Sequence, residues 1–336
     1  MLNIGIIGAG RIGKVHGESI KFHVKNAQVA AIADSYWTEA SRKWAKEMGF
    51  PTYDDYHEIL NDPSIDAVMI CSSTQTHAPI SIEAIKAGKH VFCEKPISKD
   101  LAEIKAVMQE LEKTNLKYQV GFNRRFDHNF RAVRDAVTSG KIGDVQIVKI
   151  TSRDPDAPPV EYVKVSGGIF LDMTIHDFDM TRYLTGSDVE EIYVNGAVLV
   201  DPKIGEAGDI DTAIITMKLK NGSLAVIDNS RKAVYGYDQR AEVFGSKGQV
   251  AVSNDTQSSA VISTTDGIVG EKPLYFFLER YMESFAREVS EFTEAVLNDT
   301  PVPVTVVDGL QAVLIGMAAG KSFKEHRPVK LSEIQF

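Results

Sequence analysis

Apolar and polar positions alternate in two different ways along this chain. Through the first third, short apolar runs are separated by amphipathic stretches. The runs Asn3–Ile7, Val29–Ala33, Ala67–Cys71, His90–Cys93 and Tyr118–Phe122 have the length and near-continuous apolar character of buried strands. Between them, Thr38–Met48, Pro79–Ala87 and Leu101–Lys113 carry apolar residues at helical spacing. That alternation predicts a parallel sheet with helices on both faces. After about Gly121 the pattern changes. A helix is predicted around Asn129–Ser139, then the strand Val145–Thr151 and a proline-rich loop, Asp154–Pro159. One helix, Phe170–Leu184, precedes several strand-like runs from Ile192 to about Ile262, punctuated by turns at Asn221-Gly222 and Ser246-Lys247-Gly248. Two amphipathic helices, Glu279–Leu297 and Val307–Glu325, close the chain. The expectation is an α/β domain over 1–121, followed by an α+β domain over 122–336 with a large, mostly antiparallel sheet.

Composition narrows the class. A chain of 336 residues is too long for one ordinary core, which agrees with two domains. The net charge of -9 argues against a nucleic-acid partner and for an acidic enzyme. No apolar run reads as long enough to cross a bilayer, so no membrane partner is expected. The first residues run straight into a strand, which is not the pattern of a signal or transit peptide. Cys71 and Cys93 are the two cysteines, each ending an apolar run. They read as buried thiols rather than a disulfide framework, which suits a reducing cytoplasm. No His-Glu-x-x-His or Cys-x-x-Cys is present, so no metal is expected.

Candidate chemistry begins at Gly8-Ala9-Gly10-Arg11-Ile12-Gly13, which follows a strand and opens a helix. Gly8 suits a tight turn, Gly10 a close approach of backbone to pyrophosphate, and Gly13 close packing of helix on strand. Phosphates would meet the free amides at the helix start. Asp34 ends the next apolar run, where a carboxylate accepts both ribose hydroxyls and repels a 2′-phosphate. Ser35 and Tyr36 follow rather than arginines, so NAD is expected over NADP. This is the signature of a Rossmann dinucleotide-binding domain. Ser72, Ser73, Thr74 and His77 follow the third run on the same crevice side, although such residues also serve as helix caps. Glu94 and Lys95 end the fourth run, ahead of Pro96, and face the crevice too. A lysine at a strand end is equally an ordinary solvated residue.

The second chemical segment is Gly167-Gly168-Ile169-Phe170-Leu171-Asp172-Met173-Thr174-Ile175-His176-Asp177. Asp172 and His176 are four apart, so a single helix would put them on one face. A histidine can take a hydroxyl proton near neutral pH, tuned by a nearby carboxylate or ammonium. The same spacing also describes a plain surface pair. Asp177 and Asp179 read as surface or capping residues.

Taken together, these residues resemble the Gfo/Idh/MocA family of sugar and polyol oxidoreductases over essentially the whole chain. The motifs are the Gly8–Gly13 turn, Glu94-Lys95-Pro96 and Asp172-x-x-x-His176. Further segments are most similar to its inositol-dehydrogenase branch: Gly121-Phe122-Asn123-Arg124-Arg125-Phe126-Asp127, Arg153-Asp154-Pro155, Ser166–Met173, Tyr235–Arg240 and Phe276–Tyr281. The resemblance implies NAD-dependent oxidation of myo-inositol at a secondary hydroxyl. It implies His176 as the base, Lys95 as the group stabilising charge on the oxygen, and Asp172 as a binding or orienting residue. It also implies a cis Lys95–Pro96 bond and a homo-tetramer. A ring of hydroxyls needs several donors and acceptors, because an unmatched buried group is costly. Asn123, Arg125, Asp154, Asp156, Tyr235 and Gln239 are candidates from the second domain; Arg125 could instead pair with Asp127. Arg153-Asp154-Pro155 departs from the His-x-Asn-like sequence of some inositol dehydrogenases, which leaves the stereoisomer open. Another polyol or aldose, such as scyllo-inositol or glucose, is the alternative substrate. A nucleotide-binding regulator is the alternative class, against which all three catalytic candidates are present.

Overall fold

The computed structural model describes residues Met1–Phe336. The chain runs through β1 (Leu2–Ile7), α1 (Arg11–His23), β2 (Ala27–Ala33), α2 (Glu39–Met48), β3 (Thr52–Tyr53), α3 (His57–Asn61), β4 (Ala67–Ile70), α4 (Thr74–Lys86), β5 (His90–Glu94), α5 (Leu101–Leu111) and β6 (Tyr118–Gly121). A 3-10 turn, Asn123–Phe126, leads to α6 (His128–Thr138), β7 (Val145–Arg153), α7 (Val160–Ser166), α8 (Gly168–Asp172) and α9 (Ile175–Thr185). Next come β8 (Val189–Ala197), α10 (Pro202–Glu206), β9 (Thr212–Leu219), β10 (Leu224–Ser230), β11 (Asp238–Gly245), β12 (Gly248–Val252) and the hairpin of β13 (Val261–Thr264) and β14 (Gly267–Gly270). The last elements are α11 (Phe277–Arg280), α12 (Met282–Leu297), α13 (Val306–Glu325) and β15 (Val329–Lys330).

By its contacts the chain forms two units. The first gathers Met1–Phe126 with Met282–Gln311, and the second gathers Asp127–Tyr281 with Ala312–Gln335. Segment 282–311, assigned on sequence to the second domain, therefore belongs to the first. The reason is packing: Val289 and Phe292 of α12 join Ile4, Ile6, Ile32, Met69 and Phe92 in one buried core.

In the first unit six parallel strands lie in the order β3-β2-β1-β4-β5-β6. Strand order reverses between β1 and β4, and the loops beyond the carboxyl ends there form the usual ligand crevice of such sheets. All four residues of β4 are buried, as a strand covered on both faces requires.

In the second unit seven strands lie in the order β12-β11-β7-β10-β9-β8-β15, with β7 and β10 the parallel pair. The α/β plus mostly antiparallel α+β expectation is met. Helix α9 packs on β7, and α6 on β11 and β12. On the opposite face Phe244, Ile147 and Leu224 stand in register across three strands, all exposed.

Three local expectations need correction. The single helix over 170–184 is two, α8 and α9. The amides of Met173 and Thr174 both donate to the Ile169 carbonyl, and the Thr174 hydroxyl is drawn to Asn229 Oδ1 at 2.6 Å, which breaks the helix between them. The helix expected over 279–297 likewise divides at Tyr281. Finally, α13 is long and apolar enough to span a bilayer by composition, contrary to the sequence reading, but 56% of its most apolar stretch is buried, which marks a core helix.

Candidate active site

The glycine motif divides into two tight positions and one open one. Gly8 has φ 108°, and a side chain there would meet the Cys71 carbonyl and Ser72 amide at 2.7 Å. Gly13, in the first turn of α1, lies against the Gly8 carbonyl with no room for a Cβ. Gly10 is the opposite: it is exposed, and nothing lies within 4 Å of where its Cβ would be. It caps α1 without a side chain, so the first amides of the helix meet no protein cap. Arg11 is exposed and Ile12 half-buried beside it. This cradle fits a pyrophosphate.

Asp34 follows β2. Its Oδ2 accepts the Ala9 amide and its Oδ1 the Tyr36 amide, each at 2.7 Å. Two backbone donors fix the carboxylate, while each oxygen keeps a further lone pair for a ribose hydroxyl. The Ala9 amide is thus committed to Asp34. The residues present fit a dinucleotide with a free 2′-hydroxyl.

Ser72, Ser73 and Thr74 lie between β4 and the first residue of α4. The Ser72 hydroxyl bonds Thr76 Oγ1 at 2.6 Å, and Ser73 caps α4 without a side-chain bond. His77 is buried, and both ring nitrogens face backbone carbonyls: Nδ1 is 2.8 Å from Pro96 O and Nε2 3.0 Å from Ser72 O. Two carbonyls accept only if both nitrogens carry protons. Burial lowers the pKa of this imidazole, but the Cys93 sulfur and the two carbonyls outweigh it and raise it to about 9. His77 therefore ties the end of β4 to the Lys95–Pro96 turn through backbone. That turn carries a cis peptide bond. Lys95 is half-buried, and its amide donates to Glu94 Oε2 at 3.3 Å.

In the second unit, Asp172 and His176 lie on two successive helices rather than on one. Asp172 is the last residue of α8 and His176 the second of α9, on either side of the break. Asp172 Oδ1 accepts the Tyr162 hydroxyl at 2.8 Å, and Oδ2 accepts Arg231 Nη1 at 3.0 Å. The same Nη1 lies 3.8 Å from Asp154 Oδ2. Arg231 is 2% exposed, yet its Nε and Nη2 reach no protein acceptor. Buried donors of this kind are where a polar ligand regains what burial removed. Sequence reading missed Arg231. The available signal was a charged residue placed directly after the alternating strand β10.

Gly168, with φ 77°, opens α8; a Cβ there would stand 2.9 Å from Asp209 Oδ1, which accepts the Ile169 amide at 3.1 Å. Burial raises the Asp209 carboxyl pKa, partly opposed by the backbone bonds.

The remaining candidates are dispersed. Asn123 and Arg125 are buried in the 3-10 turn after β6, in the first unit rather than the second. Arg125 pairs with Asp308 at 3.0 Å instead of Asp127, because Arg280 takes Asp127. Tyr235 donates to Asp238 Oδ2 at 2.6 Å and accepts Arg153 Nη1 at 3.1 Å. Asp156 is exposed and accepts the Tyr275 hydroxyl at 2.8 Å. Gln239 is buried in β11, its Oε1 bonded to Ser152 Oγ at 3.0 Å. Asp177 and Asp179 are buried at 0% and 1% exposure, not surface residues as expected. Helix α9 lies between α6 and β7, and Asp177 Oδ2 accepts Asn229 Nδ2 at 3.0 Å there.

Comparison with known proteins agrees with this division. Residues 2–122 match the family model described as "Oxidoreductase family, NAD-binding Rossmann fold", and residues 130–251 match the "GFO/IDH/MocA C-terminal domain". The chain belongs to the Gfo/Idh/MocA oxidoreductase family. Residues 2–122 of the first unit accordingly match its NAD-binding domain, and residues 130–251 of the second its C-terminal domain. Among family members, the myo-inositol 2-dehydrogenase of Thermotoga maritima is 49% identical over 334 residues, 99% of each chain. The inositol 2-dehydrogenase of Rhizobium meliloti is 44% identical, covering 98% of this chain and 99% of that one. The structure of scyllo-inositol dehydrogenase from Lactobacillus casei with bound NAD(H) and scyllo-inositol is 32% identical, with a TM-score of 0.91 over 99% of each chain.

Proposed function

We propose that the protein oxidises myo-inositol at one secondary hydroxyl to the corresponding ketone, with NAD as the oxidant. Bound NAD supplies the hydride acceptor. The residues that hold it are Gly8 to Gly13 and Asp34, with Glu94 and the 72–77 segment at the neighbouring strand ends. His176 takes the hydroxyl proton, and Lys95 stabilises negative charge on that oxygen as the proton leaves. Asp172, held by Tyr162 and Arg231, accepts from a neighbouring hydroxyl. Asn123, Arg125, Asp154 and Tyr235 complete the polyol site.

One observation carries the polyol reading. Asp172, one helix break away from His176 in sequence, meets Asp154 and the buried Arg231, with donors to spare, which is the mixed donor–acceptor set that vicinal hydroxyls demand. The named relatives support inositol as the ring. The exposed in-register row of Phe244, Ile147 and Leu224 supports self-association, which we read as a homo-tetramer. Two buried free cysteines support a cytoplasmic setting.

A panel of myo-inositol, scyllo-inositol and glucose, each with NAD and NADP, tests the reading by absorbance of the reduced cofactor. The highest kcat/KM is expected for myo-inositol with NAD. A preference for scyllo-inositol or glucose would move the substrate while keeping the chemistry. Binding of NAD without turnover of any polyol would make the protein a sensor instead.

A further inference from the structure

Three ionisable side chains, of which the proposed reaction uses only Glu94, beside the cofactor, meet inside the first unit. His16 of α1 and Glu288 of α12 are 0% exposed, and Glu94 at the end of β5 is 8% exposed. His16 Nε2 lies 2.8 Å from Glu94 Oε1 and 4.0 Å from Glu288 Oε1. Phe92 and Phe285 set their rings edge-on around the imidazole, at 5.2 and 5.7 Å.

Two carboxylates this close in a dry site cannot both ionise, and the donors decide which one does. Glu94 has two: the Lys95 amide, at 3.3 Å, on one oxygen, and on the other His16 Nε2, 2.8 Å away, which donates in its Nε2–H tautomer. Gly121 packs against the same carboxyl, where a Cβ would stand 3.0 Å away. Both oxygens of Glu288 are buried and accept no hydrogen bond from the protein. Burial, and then the Glu94 charge, push the Glu288 carboxyl well above the usual range. Cys71 is a titratable neighbour of both; burial, Glu94, Cys93 and Glu288 all push its thiol up, so it stays neutral. The same three residues are close enough for a metal-ligand set, and the direct bond between His16 and Glu94 is the competing arrangement.

We infer that His16, Glu94 and Glu288 form a buried proton-holding cluster in which Glu288 remains a neutral carboxylic acid and Glu94 bears the charge. His16 is thereby a positioning residue for the turn that carries Lys95. This second part rests on the role of Lys95 given above, whereas the proton assignment does not.

Infrared difference spectroscopy of the full-length protein at neutral pH tests the assignment. Wild type minus Glu288→Gln is expected to show the C=O band of a carboxylic acid, shifted in D2O; other buried acids such as Asp209 cancel. A difference spectrum without that band, or stoichiometric bound metal in the purified protein, would overturn it. Kinetics test the positioning. Glu288→Gln, which mimics the neutral acid, should keep kcat and its pH profile within about two-fold. His16→Leu should lower kcat by about 10- to 100-fold, as expected for a displaced catalytic group, with little change in KM. His16→Gln, whose amide can still donate to Glu94, should recover most of that loss. If His16→Leu does not fold, His16→Asn, too short to reach Glu94, replaces it. A His16 variant lacking the donor that keeps wild-type kcat would overturn the positioning. If wild type turned over no polyol, the functional reading would fail, while the infrared result would still decide where the proton lies.

Discussion

Arg231 Nη1 lies 3.0 Å from Asp172 Oδ2, with the two side chains only 3% and 12% exposed. A charge pair this enclosed leaves either partner costly to remove. Arg231→Ala is expected to destabilise the second unit by about 3–5 kcal/mol, since it removes the nearly buried partner of this ion pair. Urea unfolding measures this. With myo-inositol, Arg231→Lys should restore stability better than kcat/KM, because an ammonium cannot reproduce a planar fork.

Asp34 holds the Ala9 and Tyr36 amides, and in our account the ribose hydroxyls as well. Asp34→Ala should weaken NAD binding by about 10- to 100-fold, the worth of one or two bonds to a charged acceptor. It should also narrow the gap to NADP by removing the charge that repels a 2′-phosphate. Titration calorimetry with both cofactors reads both effects.

His77 makes stability pH-dependent. Its pKa is raised to about 9 in the folded chain, against about 6.5 for a free imidazole. The folded state therefore binds the extra proton more tightly. The stabilisation is complete below about pH 6.5, and is lost as pH rises through about 9. It is on the order of 3 kcal/mol. Urea midpoints measured between pH 6 and 10 should fall over that window in wild type, and less steeply in His77→Gln.

Gly168 has φ 77°, and a Cβ would crowd Asp209 Oδ1 at 2.9 Å. Gly168→Ala should cost about 1–3 kcal/mol through backbone strain. Because α8 positions Asp172, KM for the polyol should rise with it. Thermal unfolding alongside steady-state kinetics checks both.

What could be read from the sequence follows from how local each signal is. Gly8, Gly10, Gly13 and Asp34 announce themselves because strand, turn and helix lie within one short stretch. Lys95 was visible because it ends an apolar strand in a dinucleotide-binding context. Arg231 was not, because it and its partners Asp154 and Asp172 come from three separate segments. The pairing of Arg125 with Asp308 joins residues 183 apart in sequence, and only the return of 282–311 to the first unit makes it. Helical spacing missed the break between Asp172 and His176. The interruption at Met173 and Thr174 depends on Asn229, a neighbour in space that no local pattern reveals. Asp177 and Asp179 were misplaced for the same reason: polar residues on a helix read as exposed until its packing partners are known.

The most direct test compares NAD reduction by wild type, Lys95→Ala and His176→Ala with myo-inositol, alongside NAD affinity. The expected result is robust reduction by wild type, a loss in kcat of about 10²- to 10⁴-fold in each variant, and unchanged NAD binding by His176→Ala. Near-full activity in both variants would contradict the account.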